Sequence, residues 1–200
     1  MSLQVISLEC PGCGAPISTD MKSCPRCKGP VIITSFNSVY DMADLQAKKY
    51  ARGYQKALTA NPDSSQLKAS VAMCHLKIGM YDKAYEIFDQ LLEDNFDDSE
   101  LFFYAAVCLL KGKRPFLTQL SNVKKIQEYM DAAMLIEERG VYHLFLAYVK
   151  LDYYARKALR VSPNWQDEVK LARQYGVSAE DTRILFEMLK VPVPTELAFI

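Results

Sequence analysis

Four of the six cysteines in this 200-residue chain fall between residues 10 and 27, in the stretch CPGCGAPISTDMKSCPRC. Their pattern is C-x2-C-x10-C-x2-C. Two C-x-x-C turns can each present a pair of sulfurs to one tetrahedral ion, at roughly 2.3 Å per bond. Two disulfides are the competing use of Cys10, Cys13, Cys24 and Cys27. The opening MSLQVISLE has neither a basic segment nor an apolar run of leader length, so a cytoplasmic location is expected. Thiols there are held reduced, which favours a metal. Gly12 and Gly14 suit the tight first turn, where positive φ is cheap, and Pro11 and Pro25 stiffen equivalent positions. The second turn departs from the first, because Lys28 stands where the first has Gly14 and the glycine slips to Gly29.

A catalytic zinc keeps an open coordination position, and four thiolates leave none. One structural Zn²⁺ is therefore expected on the four cysteines. A redox C-x-x-C would sit beside a βαβ pattern, which is missing. His75 and His143 lie within apolar helical patterns and read as satisfied core or surface histidines. No phosphate loop, nucleophile elbow or His-rich metal site is recognisable, so the chain is expected not to be an enzyme and no small-molecule substrate is expected.

These residues resemble a minimal zinc ribbon of the CPxCG type, a likeness covering about residues 3 to 35 and placing a ribbon domain at 1–36. The flanking segments LQVISL and PVIITSF are β-branched and are expected to pair as strands beside the knuckles. So small a unit cannot fold on apolar burial alone, and the metal would supply its folding free energy.

From about Asp41 onward, apolar spacings of three and four take over. AKKYARGYQKALTANP (47–62) and YDKAYEIFDQLLEDNF (81–96) align at a 34-residue offset, as do Cys74 and Cys108. Those two cysteines read as repeated small core residues. A 34-residue period of helix, turn and helix resembles the tetratricopeptide repeat, over about residues 41 to 163. The resemblance implies a mainly α fold, a helical repeat solenoid at 37–200 behind a small β zinc ribbon. The clearest unit is Ser65 to Asn95, turning at Gly79-Met80. A third unit has its first helix at Glu100 to Lys111 and an enlarged turn, KGKRPFLTQLSN, before a helix near Val123 to Glu138. VYHLFLAYVKLDYYARKALR is expected to run unbroken to SPNW. Gln166 to Tyr175 and Ala179 to Lys190 are expected as capping helices, with Ser178 as N-cap of the second and Asp181 three residues on.

In tetratricopeptide proteins the first helix of each repeat lines a concave groove. The family's lining positions map onto Gln66, Ala69, Met73 and Lys77, then Glu100, Phe103, Val107 and Lys111. Of these, Met73, Lys77, Phe103, Val107 and Lys111 are the expected partner-binding residues. Ala69 and Met73 stand where relatives that clamp acidic chaperone tails carry Lys and Asn, which disfavours that partner. An apolar helix or extended peptide would suit Met, Phe and Val.

Lys plus Arg equals Asp plus Glu at 24 each, so no global field gathers nucleic acid or an anionic membrane, and any such binding has to be local. The longest apolar stretch, Leu101 to Leu110, is half of the ~20 residues a bilayer span needs, and no membrane association is expected. The expected function is a non-enzymatic adaptor whose groove binds a protein or peptide, with the ribbon as cap or second contact surface. The alternative is a nucleic-acid-associated protein acting through the ribbon, where Lys22, Arg26 and Lys28 are offset by Glu9 and Asp20 and no aromatic is available to stack on bases.

Overall fold

The structure, a computed structural model, describes residues 5–198. The chain divides into two compact units, one ending at Ile87 and one beginning at Phe88. In the first, β1 (Ser7–Glu9) pairs antiparallel with β2 (Pro16–Ser18), Leu8 opposite Ile17. Helices α1 (Asn37–Tyr40), α2 (Asp44–Ala60) and α3 (Ser65–Lys77) follow, and α4 (Tyr81–Asp94) carries the boundary. The second unit contains α5 (Ser99–Cys108), a 3-10 turn at Pro115–Leu117, α6 (Leu120–Ile136) and α7 (Gly140–Val149). A π turn (Lys150–Tyr154) and a 3-10 turn (Ala155–Lys157) prolong α7. They are followed by α8 (Trp165–Gln174), α9 (Ala179–Leu189) and a last 3-10 turn at Thr195–Leu197.

Helices α3, α5, α8 and α9 start where short polar side chains can take up orphan backbone donors. Ser64 accepts the N–H of Leu67 and Asp98 those of Glu100 and Leu101. Asn164 with Asp167, and Ser178 with Asp181, form reciprocal capping boxes on α8 and α9. The helix starts at Ser65 and Ser99 are 34 residues apart, and so are the ends at Ala60 and Asp94. Along α2 the buried residues Ala47, Tyr50, Ala51 and Tyr54 repeat at three and four, the stripe of a one-sided helix. Helices α5 and α7 are buried almost all round, Cys108 included. Fold class therefore follows the expectation: mainly helical, with a two-stranded sheet near the N-terminus.

Three details differ. First, the strands pair inside the ribbon, across the first knuckle, and PVIITSF forms no strand with LQVISL. The second knuckle closes on itself through a single bridge, Ser23 with Pro30. That leaves 31–36 free to pack on helices: Ile33 donates its N–H to Ser70 Oγ on α3 at 2.9 Å, and Tyr54 of α2 donates its hydroxyl to the Val31 carbonyl at 3.0 Å. Leu3 and Gln4 of LQVISL lie outside the described residues, as do Phe199 and Ile200 of the C-terminal tail. Second, compactness does not break after residue 36, because the ribbon and helices up to Ile87 form one unit. Third, the helix expected to run to SPNW widens at Lys150 and ends at Ala158, whose φ of 55° is left-handed. Asp152, in the widened turn, is buried and engaged by Arg114 and by the Phe116 N–H. The tail docks within its unit, Leu197 being fully buried.

Candidate metal centre

The two knuckles are built alike. In the first, the Gly14 N–H donates to the Cys10 carbonyl and the Cys10 N–H to the Ala15 carbonyl. In the second, Lys28 and Cys24 repeat these bonds with Cys24 and Gly29. Each hairpin sets its two sulfurs on one side, and β1 and β2 carry the first hairpin towards the second. All four thiols are free, and all four Sγ atoms lie within 4.8 Å of one another. Across the knuckles, Cys10 lies 3.6 Å from Cys27 and Cys13 lies 3.7 Å from Cys24. A regular tetrahedron with bonds of about 2.3 Å has edges of about 3.8 Å, so the sulfurs fit a single four-coordinate ion. The donor chemistry fits too. The N–H groups of Cys27 and Arg26 point at the Cys24 sulfur and bring its pKa down to about 6, whereas burial pushes Cys10 up to about 12. An ion bound here would meet four soft sulfur ligands on a scaffold that sequence spacing alone had indicated.

What spacing did not reveal is the helix pressed onto the knuckles. Tyr50 of α2 is buried, and a Cβ at Gly29 or Gly12 would stand 2.1 or 2.7 Å from its hydroxyl oxygen. Those two positions are glycine because a phenol occupies the side-chain space. Burial, with the thiols next in effect, pushes the Tyr50 pKa up to about 12. One turn on, Gly53 lets Pro11 approach, with a would-be Cβ only 3.0 Å from the Pro11 Cα. Lys49 donates to the Gly12 carbonyl, and Lys56 pairs with Glu9 at 2.9 Å.

The knuckles differ in one strained residue. Gly14 and Lys28 share the left-handed conformation, at φ 75° and 61°, which a residue with a Cβ adopts at a cost of about 1–2 kcal/mol. Replacing Lys28 by Gly is expected to raise stability by about 0.5–1 kcal/mol after the entropy gained by the unfolded chain. Chemical denaturation of the metal-loaded protein checks this; an unchanged or lower midpoint would show that Lys28 contributes contacts of its own.

The expected partner residues are placed differently from the expectation. Met73, Lys77, Phe103 and Val107 are buried, and only Lys111 is exposed. Lys77 directs its ammonium to the Tyr40 carbonyl and over the Tyr40 ring. Phe103 packs against Tyr142 and Phe145 of α7, ring centroids 5.2 and 5.9 Å away. Helix α7 thus occupies the face of Phe103 that the resemblance assigned to a ligand, and these four side chains are core as they stand.

Sequence reading also passed over a buried ionic cluster in the second unit. His143 of α7 contacts Glu168 of α8 through Nδ1 at 2.7 Å and Glu138 through Nε2 at 2.8 Å. Lys150 donates to the other Glu168 oxygen at 2.5 Å, and the Tyr175 ring stacks on the imidazole. Burial draws the His143 pKa down, but the two carboxylates outweigh it and hold it above its usual value. The available signal was the seven-residue separation of His143 and Lys150, two turns along one helix. His75 is buried with its Nδ1 lacking a hydrogen-bond partner among the described residues, and burial with Lys83 nearby lowers its pKa. It is thus a core histidine, as expected, but an unsatisfied one.

Comparison with known proteins finds a likeness over part of the helical region. A family model described as tetratricopeptide repeat matches residues 45–110, the stretch over which the 34-residue helix spacing is seen. Over these residues the chain is similar to tetratricopeptide repeats, and an N-terminal cluster of four cysteines that could hold a metal precedes them. No curated protein matches the chain. Among the described residues, no helix is long and apolar enough to cross a membrane.

Proposed function

We propose that the protein is a non-enzymatic, cytoplasmic interaction scaffold, in which the helical repeats present a surface to a protein partner and one structural Zn²⁺ on Cys10, Cys13, Cys24 and Cys27 fixes the ribbon onto α2. The observation that carries the reading is the tetratricopeptide match over residues 45–110, a repeat whose general use is protein–protein interaction. The ion is taken as zinc because four thiolates in a tetrahedron suit it and leave no position for substrate. Within this reading the ribbon is a cap, since it covers the Tyr50, Gly53 and Tyr54 side of α2. Met73, Lys77, Phe103 and Val107 hold the helices together, and partner contacts fall to exposed residues such as Lys111.

Affinity capture of the tagged chain from its native extract, with and without nuclease, tests the reading. A stoichiometric protein that persists through nuclease is the expected result. Loss of all bound material after nuclease would move the function to nucleic-acid contact through the ribbon.

A further inference from the structure

Between Glu100 and Glu128 the chain has no acidic residue, yet it carries Lys111, Lys113, Arg114, Lys124 and Lys125. The zero net charge of the whole chain hides this local excess. The structure folds the middle of the stretch into the turn Pro115–Leu117 and anchors it firmly. Pro115 is buried, and the buried Asp152 carboxylate takes the Phe116 N–H at 2.8 Å together with the guanidinium of Arg114. Arg156 lies 3.3 Å from the same carboxylate. Phe116, Leu117 and Leu120 are nevertheless 40%, 69% and 47% exposed. Lys157 stands 5.0 Å over the Phe116 ring.

A turn tied down by Asp152 that exposes an aromatic and a leucine, with Leu120 exposed at the start of α6 and basic residues before and after it in the chain, has the parts that interfacial binding requires. Apolar side chains enter the acyl boundary, and cations stay at headgroup level, where each strengthens binding to anionic lipid. We propose that this turn docks on an anionic lipid surface, with Phe116, Leu117 and Leu120 entering the interface and the exposed Lys113 and Lys124 facing the headgroups. The charge complementarity is local and basic, and the apolar groups lie on a tight turn and at the helix start just after it, which a deformable interface accepts without a preformed pocket. An acidic protein segment is the competing partner. Docking of this kind adds a location to the scaffold reading and does not depend on it.

The test is co-sedimentation of the full metal-loaded chain with phosphatidylcholine vesicles, with and without phosphatidylserine. Partition is expected to be at least about tenfold stronger with phosphatidylserine and to weaken with salt. Phe116→Ser with Leu117→Ser should lower it about tenfold at unchanged helical signal. Lys113→Gln with Lys124→Gln should lower it by a similar factor and flatten the salt dependence. Equal partition onto both vesicle types, or no effect of the apolar substitutions, overturns the proposal. It also fails if the wild type ignores vesicles while the apolar variant loses a stoichiometric protein partner, an outcome that leaves the scaffold reading standing. Vesicle binding with no captured protein would do the reverse.

Discussion

Cys10→Ser combined with Cys27→Ser is expected to abolish metal binding and to release α2 as well as the knuckles. Each substitution removes one sulfur from one of the two C-x-x-C pairs, leaving two ligands for an ion that requires four. Structural zinc binding is worth about 10 kcal/mol or more in isolated fingers, where it is the folding free energy. The apolar cluster within the ribbon is small, Cys10, Ile17, Cys24 and Val31 with a few half-buried neighbours, and cannot hold the hairpins together without the ion. When they open, Tyr50 and Tyr54 lose the knuckle backbone and the Val31 carbonyl that now cover them. Metal analysis should give close to one zinc per wild-type chain and none in the variant. Hydrogen exchange should show lost protection through β1, β2 and α2, with α6 to α9 unaffected. Persistent protection of α2 in metal-free protein would make the ribbon an appendage and sink the cap reading.

Glu168→Gln is the second substitution of large effect. The wild-type carboxylate serves Lys150 and His143 at once, with all three side chains buried. Removing one partner of a buried ion pair leaves the others charged in a poor solvent, at a cost of about 3–5 kcal/mol. The pH dependence has a definite sign. His143 is held above its ordinary 6.5, so its stabilisation is full below about pH 6.5 and is lost as pH rises through the elevated folded value. Glu168 is held below its ordinary 4.5, burial being outweighed by His143 and Lys150, so its contribution is present above about pH 4.5 and lost as pH falls through the lowered value. Resistance of the wild type to denaturant should therefore be highest between these limits and fall as pH rises through the raised His143 value. His143→Gln should flatten the alkaline side of that profile. A Glu168→Gln protein as stable as wild type at pH 6 would show that the cluster contributes nothing net.

Much of this architecture was legible in the chain. The C-x2-C-x10-C-x2-C spacing is local chemistry, and the structure brings those four sulfurs within 4.8 Å of one another. The 34-residue repeat and the core placement of Cys74 and Cys108 follow from patterns that recur one helix–turn–helix unit apart, and the N-cap at Ser178 from a serine with an aspartate three residues on. Strand pairing was less legible. PVIITSF has strand composition, but its residues found better partners in Ser70 and Tyr54 than in a third strand, and composition does not say which neighbour is nearest.

The misplaced groove shows the same limit. Met73, Phe103 and Val107 sit on the helix faces that the repeat pattern identifies, but whether such a face meets a ligand or another helix depends on what the rest of the chain brings to it. For Phe103 that is α7, through Tyr142 and Phe145. Local spacing in the sequence determined the candidate metal ligands, the helical class and the 34-residue period. Tertiary structure decided what covers each face: Tyr50 over the knuckle glycines, α7 over Phe103, and Asp152 beneath a basic turn that leaves Phe116 and Leu117 in water. The reason is physical, since a ligand turn or a helix start is specified by residues within a few positions, whereas burial is a property of segments far apart in the chain that happen to meet.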